Sequence, residues 1–201
     1  MSRSSLPTEG AEASVDLTER YLDHYARFLG EPVEAFPFAI GDDLPAIRIL
    51  RYDNVIAGCR VFATLGLSSF PGEAGEICEV ICPADKAWDD IPAILAQSLF
   101  RLVAREPYNP ARGVAVNGID DVNPEFTKKY RKTALYLTDP FELPEEFAFV
   151  EEGVIDGRMY LAIFLSKKEY EYLAANDCEH LEDQLEEKGV DPYDIRRKSC
   201  V

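Results

Sequence analysis

The sequence predicts an α+β fold in which a mixed, mainly antiparallel β-sheet packs against several α-helices. Three observations carry that expectation. Residues 45–82 read as strands joined by turns, residues 88–105 form a strongly amphipathic helix, and the chain after Thr133 runs through strands into two capped helices. No repeat or linker divides the 201 residues, a length suited to one generous core. The expected organisation is a single domain over residues 16–201 behind a disordered segment, 1–15, where Ser2, Ser4, Ser5, Pro7 and Gly10 can bury little.

In chain order, residues 16–29 read as a helix. Leu17, Tyr21, Tyr25 and Phe28 recur at helical spacing, Asp16 and Glu19 match a capping box, and Gly30 with Pro32 ends the run. Residues 45–52 set Ile47, Ile49 and Arg51 against Ala46, Arg48 and Leu50, the alternation of a strand, and Asp53-Asn54 supplies the turn. Two further strands, 59–67 and 76–82, flank the Pro71-Gly72 breaker, and the three form an antiparallel meander. The next helix carries Trp88, Ile91, Leu95, Leu99 and Leu102 as one stripe, with Asp89 and Asp90 at its start and Pro92 in the tolerated first turn. Residues 108–127 hold Asn109-Pro110, Asn117-Gly118 and Asn123-Pro124 and read as a long loop with one short strand at 114–116, the kind of loop that often carries function. Strands follow at 133–137, 147–150 and 158–165, the last two joined as a hairpin through Asp156-Gly157. Ser166-x-x-Glu169 then caps a helix with Tyr170, Leu173 and Ala174. Asn176-x-x-Glu179 caps another, with Leu181 and Leu185 inward and Gly189 at its end.

Charge is the strongest compositional signal. The formal net charge is −16, from 37 acids and 21 bases. Residues 139–194 hold 17 acids and 4 bases, a net −13, while Lys128, Lys129, Arg131 and Lys132 form a basic run just before. Such an acid excess repels phosphate backbones and anionic membranes and favours a basic protein partner. No apolar run approaches the roughly 20 residues that span a bilayer, and the N-terminal segment lacks the apolar core and cleavage site of a secretory signal. The expected location is the cytoplasm. Cys59, Cys78, Cys82, Cys178 and Cys200 are odd in number and lack a framework spacing, which suits reduced thiols, and Cys78 and Cys82 share one strand face.

The patterns that would announce chemistry fail in detail. Gly66-x-Ser68 begins like a nucleophile elbow, but position 70 is Phe and no helix follows. Gly113 and Gly118 are not followed by G-K-[ST], so no phosphate loop is formed. Asp120-Asp121-x-Asn123 is short of carboxylates for calcium and reads as a polar turn. Two histidines, His24 and His180, cannot supply a zinc site or a triad. His24 reads as a half-exposed structural imidazole, and His180 as one that pairs with neighbouring acids and titrates high. The expectation is a non-enzymatic chain with no metal and no cofactor.

One resemblance runs through many of these elements. Residues 61–68 (VFATLGLS), Leu143-Pro144-Glu145-Glu146-Phe147, the strand 159–164, Ser166-Lys167-Lys168-Glu169, Asp191-Pro192 and Arg196 follow an order that resembles the Suppressor of fused domain family in its short bacterial form. The resemblance covers about residues 17–197. It implies the TLGLS strand, a 76–81 strand with an outward acid, the 88–103 helix, the closing hairpin and the two capped helices. This chain departs from the family in having Leu165-Ser166 where a proline is expected before the helix. The founding animal member resembles this chain in its N-terminal domain and needs a second domain to enclose its peptide. Bacterial members resemble immunity proteins, each neutralising a matching polymorphic toxin domain. The resemblance therefore implies a protein-binding role with a toxin domain as partner, and the acid excess favours a basic one and disfavours nucleic acid and membranes. The expected contact residues are Glu142, Glu145, Glu146, Glu151 and Glu152 of the acidic tract, Asp120 and Asp121, and Tyr108 as an aromatic anchor. The alternative is an adaptor that binds an extended peptide along a free sheet edge. Oligomeric state is left open by the sequence.

Overall fold

A computed structural model describes residues 9–39, 45–72, 76–104, 109–150 and 157–201. Its elements are α1 (Glu9–Phe28), β1 (Glu34–Phe38), β2 (Ile47–Asp53), β3 (Cys59–Leu65), β4 (Ile77–Asp85), α2 (Ile91–Val103), β5 (Ala115–Asn117), α3 (Ile119–Val122), α4 (Pro124–Tyr130), β6 (Lys132–Thr138), β7 (Phe149–Val150), β8 (Gly157–Ser166), α5 (Lys167–Ala175) and α6 (Cys178–Glu187). The sheet order is β1-β2-β3-β4-β8-β6-β5, with β7 beside β8. Among the described residues only the β4–β8 pairing is parallel, and the other pairings are antiparallel. The fold is thus α+β with a mixed, mainly antiparallel sheet, and the β2-β3-β4 meander runs as its alternation requires.

Strand parity divides the core into two layers. On β8, Tyr160, Ala162 and Phe164 join Leu95 and Leu99 of α2 and Phe126 of α4 on one face. Met159, Leu161 and Ile163 join Tyr21 and Tyr25 of α1 and Leu181 of α6 on the other. Both faces are covered, which is why the central strands read as nearly continuous apolar runs.

Several local expectations need correction. Helix α1 starts at Glu9, so Asp16 and Glu19 lie inside it; the Ala- and Glu-rich stretch before Asp16 favours continuation. Strand β1 was not foreseen, because Pro37 argues against a strand, yet this is the sheet's edge, where proline is tolerated. The 108–127 loop contains α3 and the start of α4. Asn123 is a helix cap whose side chain accepts from Phe126 N at 3.0 Å, and Pro124 occupies the first turn. The cap of α6 is Asp177 rather than Asn176. The Ser166–Glu169 capping box forms in full, with Ser166 Oγ accepting from Glu169 N at 3.2 Å, where the resemblance led to the expectation of a proline. The β7–β8 pairing forms the expected hairpin, but the first strand is only Phe149–Val150, because Glu145–Ala148 winds into a 3-10 turn; Asp156 of the hairpin turn lies outside the described residues.

Two buried carboxylates explain motifs the sequence offered without a reason. In the 76–81 segment Glu76 is exposed, but Glu79 is fully buried rather than outward. The TLGLS loop closes around it. Thr64 Oγ1 and Leu67 N donate to Oε2 at 2.6 and 3.2 Å, while Gly66 N, Ser68 N and Ser68 Oγ donate to Oε1 at 2.8, 3.1 and 2.8 Å. Gly66 is required: its φ is +108°, and a Cβ there would meet the Ala46 carbonyl at 2.9 Å. Burial pushes the Glu79 carboxyl above the usual range, and the donors from Thr64, Ser68 and Gly66 oppose that rise.

The second carboxylate is Glu169 of the α5 capping box. It accepts from Ser166 N at 2.7 Å and from Cys200 N at 3.0 Å, and it pairs with Arg197. Lys132 lies 4.0 Å away and is fully buried, so the basic run 128–132 loses its last member to the core. Burial opposes ionisation of Glu169, but Arg197 and Lys132 outweigh it and hold the carboxyl down to about 2. Burial and the neighbouring Arg197 charge lower Lys132 to about 8. The buried guanidinium is that of Arg197; Arg196, which the resemblance singled out, is exposed and pairs with Asp85 at 2.8 Å.

Candidate functional site

A groove of about 600 Å³ lies between the end of β6, the segment after it and the C-terminal half of α6. Residues Tyr136, Ile163 and Leu185 form its apolar side, and Asp139, Phe141, Glu142, Glu182 and Glu186 stand around it with Arg112. Strand parity brings Tyr136 and Ile163 to this face, and Leu185 follows Leu181 along the inward stripe of α6. Gly189, with φ +57°, turns the chain so that Val190 and Pro192 complete the wall.

Glu182 organises the groove. Its Oε1 accepts from Tyr136 and Thr138 hydroxyls, both at 2.6 Å, and its carboxylate takes the Arg112 fork. Burial opposes its ionisation, but Arg112 and the two hydroxyls hold it below the usual range. Arg112 Nε also lies 3.9 Å from Asp139. Phe141 is 54 % exposed, and its ring stacks on Tyr193 at 5.8 Å and 5°. An aromatic held rigid at the rim of an apolar slot is a surface suited to recognition.

The predicted contact residues do not converge. Glu142 lines this groove. Glu145 and Glu146 line a second concavity of about 690 Å³ with Arg20, Asp23, His24, Arg27, Phe149 and Val150. His24 is half-buried there, stacked on Phe147 with Nε2 3.0 Å from its carbonyl; burial lowers its pKa, as a structural imidazole would show. Asp120 and Asp121 are exposed on α3, where Asp121 accepts from Arg101 at 3.0 Å. Glu151, Glu152 and Tyr108 lie outside the described residues. His180 is exposed, and its bond to Asp177 raises its pKa.

Sequence reasoning missed Arg112 and Glu182, which meet across 70 positions of chain. A signal existed for the glutamates. Glu182 and Glu186 are four apart and adjoin the Leu181–Leu185 stripe, so they border whatever that stripe packs against. Ser68 of the failed nucleophile elbow gives its hydroxyl to Glu79 and is 3 % exposed. All five cysteines are free, and no group of three or more metal-ligating side chains occurs among the described residues. Among those residues no helix is long and apolar enough to cross a membrane.

Comparison with solved structures places this architecture. A protein from Neisseria gonorrhoeae FA 1090, described as a SUFU (suppressor of fused protein) homologue, aligns with a TM-score of 0.69 at 19% identity, covering 93% of this chain and 98% of that one. The Sufu–Fu complex gives 0.66 at 14% identity, covering 92% of both chains. Drosophila Suppressor of Fused gives 0.63 at 13% identity over 92% of this chain, which spans 50% of the Drosophila protein's length. At these identities the likeness is one of fold. No curated protein matches the sequence. Residues 43–198 match the family described as Suppressor of fused protein (SUFU), and the chain belongs to that family.

Proposed function

We propose that this chain is a non-enzymatic protein-binding domain whose partner is basic, and that it acts as a bacterial immunity protein against a cognate toxin domain. The observation that carries the reading is the gathering of carboxylates in residues 139–194, net −13, with Asp139, Glu142, Glu182 and Glu186 ringing an apolar groove. Complementary charge speeds encounter and selects the partner, and covering a toxin's active site needs no catalysis. The Sufu–Fu complex supports the reading in that a protein of this fold forms a complex with another. In this proposal Glu142 contributes from the groove, Glu145 and Glu146 from the neighbouring concavity, and Asp120 and Asp121 from α3. Glu151, Glu152 and Tyr108, outside the described residues, are kept as further proposed contacts.

The sheet-edge alternative has less support. The terminal strands β1 and β5 hold five and three residues, and Pro37 interrupts the donors of β1. The test is capture from the source cells with the tagged chain, read by mass spectrometry at low and high salt. The proposal expects one dominant basic protein, weakened by salt. A salt-indifferent partner, or several sharing an extended motif, would favour edge addition instead.

A further inference from the structure

The groove's chemistry defines the side chain that fits it. We infer that it is a receptor for a partner segment that inserts an arginine or lysine beside an apolar residue. The inference rests on the protein-binding reading and deepens it. Four carboxylates face the space against one guanidinium, and that guanidinium already serves Glu182. The charge of Glu182 is largely answered by Arg112, Tyr136 and Thr138. Glu142 and Glu186 are exposed and stand over apolar walls.

A long basic side chain matches this layout in both its parts. Its methylene stem can lie along Ile163 and Leu185 while its cation reaches the rim carboxylates. The exposed Phe141 ring, braced by Tyr193, offers a face for the guanidinium or for the apolar neighbour. Phosphate, nucleic acid and acidic peptides are refused by the same charges. A purely apolar segment would leave Glu142 and Glu186 unanswered. The volume, about 600 Å³, suits one or two side chains rather than a folded element.

The test uses the full chain, isotopically labelled for NMR, and the peptide N-acetyl-Leu-Arg-Leu-Arg-amide, with a citrulline-for-arginine peptide as the uncharged control. The expected result is amide shifts clustered at residues 136–142 and 182–190, with affinity reduced about fivefold or more by citrulline or by raising salt from about 20 to about 300 mM. Glu142→Gln with Glu186→Gln, an isosteric pair at exposed positions, should weaken binding similarly. Phe141→Ala should weaken it independently, and Glu145→Gln with Glu146→Gln should not. Shifts elsewhere, equal binding of the citrulline peptide, or indifference to the groove substitutions would overturn the inference. Those results leave the broader reading to the capture experiment: a basic partner retained equally by Glu142→Gln/Glu186→Gln sinks the groove and spares the domain's binding role.

Discussion

Replacing Glu79 with alanine is the sharpest perturbation of the TLGLS segment, residues 64–68. It removes the acceptor shared by three backbone N–H groups and two hydroxyls, all buried. The Ser68 hydroxyl can rotate, but the N–H groups of Gly66, Leu67 and Ser68 are fixed by the backbone. Thr64 is constrained too, because its Oγ1 accepts from Val80 N at 2.8 Å while it donates to Glu79. Each orphaned buried N–H costs about 1–2 kcal/mol, partly offset because a desolvated carboxylate is no longer buried. The net expectation is a loss of about 3 kcal/mol, or about 6–12 °C in Tm for a domain of this size. Glu79→Gln keeps one oxygen but turns an amide N–H toward Leu67 N, so it should lose about 1–2 kcal/mol. Urea unfolding followed by tryptophan fluorescence and circular dichroism measures both. Alanine within about 1 kcal/mol of wild type, or glutamine as damaging as alanine, would refute the claim that donor satisfaction holds this loop.

Further outcomes follow from the packing. Gly66→Ala combines φ +108° with a Cβ at 2.9 Å from Ala46 O and should cost about 2–4 kcal/mol in urea unfolding. Gly157→Ala drives a Cβ into the Tyr21 hydroxyl, and Tyr21→Phe should restore part of the lost stability, a cycle that thermal melts can score. Arg197→Met leaves Glu169 buried beside Lys132 alone and should destabilise by about 3–5 kcal/mol at pH 7. Lys132 titrates near 8 in the fold and near 10.5 when unfolded, so the unfolded chain holds more protons between those values and stability should rise with pH. Lys132→Met should flatten that rise across about pH 8–10, measured by chemical denaturation. Glu169 has the opposite placement. Its folded value of about 2 lies below the ordinary 4.5, so its contribution is present above 4.5 and lost as pH falls toward 2.

Much of this fold is legible from periodicity. Ile47 and Ile49 against Leu50 and Tyr52 fix which face of β2 meets which helix layer, and Ser166 with Glu169 announces a capping box that forms as read. The failures share a cause: a local signal with two readings. Asn123-Pro124 serves a turn or a helix start, and only the burial of Phe126 and Tyr130 against Trp88 decides for the helix. Glu79 looks like a surface acid of an alternating strand, because its five donors lie at the end of β3 and in the turn after it, 11 to 15 residues earlier in the chain. The groove was legible in charge and hidden in geometry. Glu142 could be named from the acidic tract, but Arg112 and Glu182 come together only when α6 packs beside β6.

In the proposed function, charge guides this domain to a basic partner. The most direct measurement is the association rate of the captured partner with the full chain across ionic strength, by stopped flow or surface binding. Steered capture predicts an on-rate that falls about tenfold or more between about 20 and about 300 mM salt while dissociation changes little. An on-rate flat across that range would contradict it.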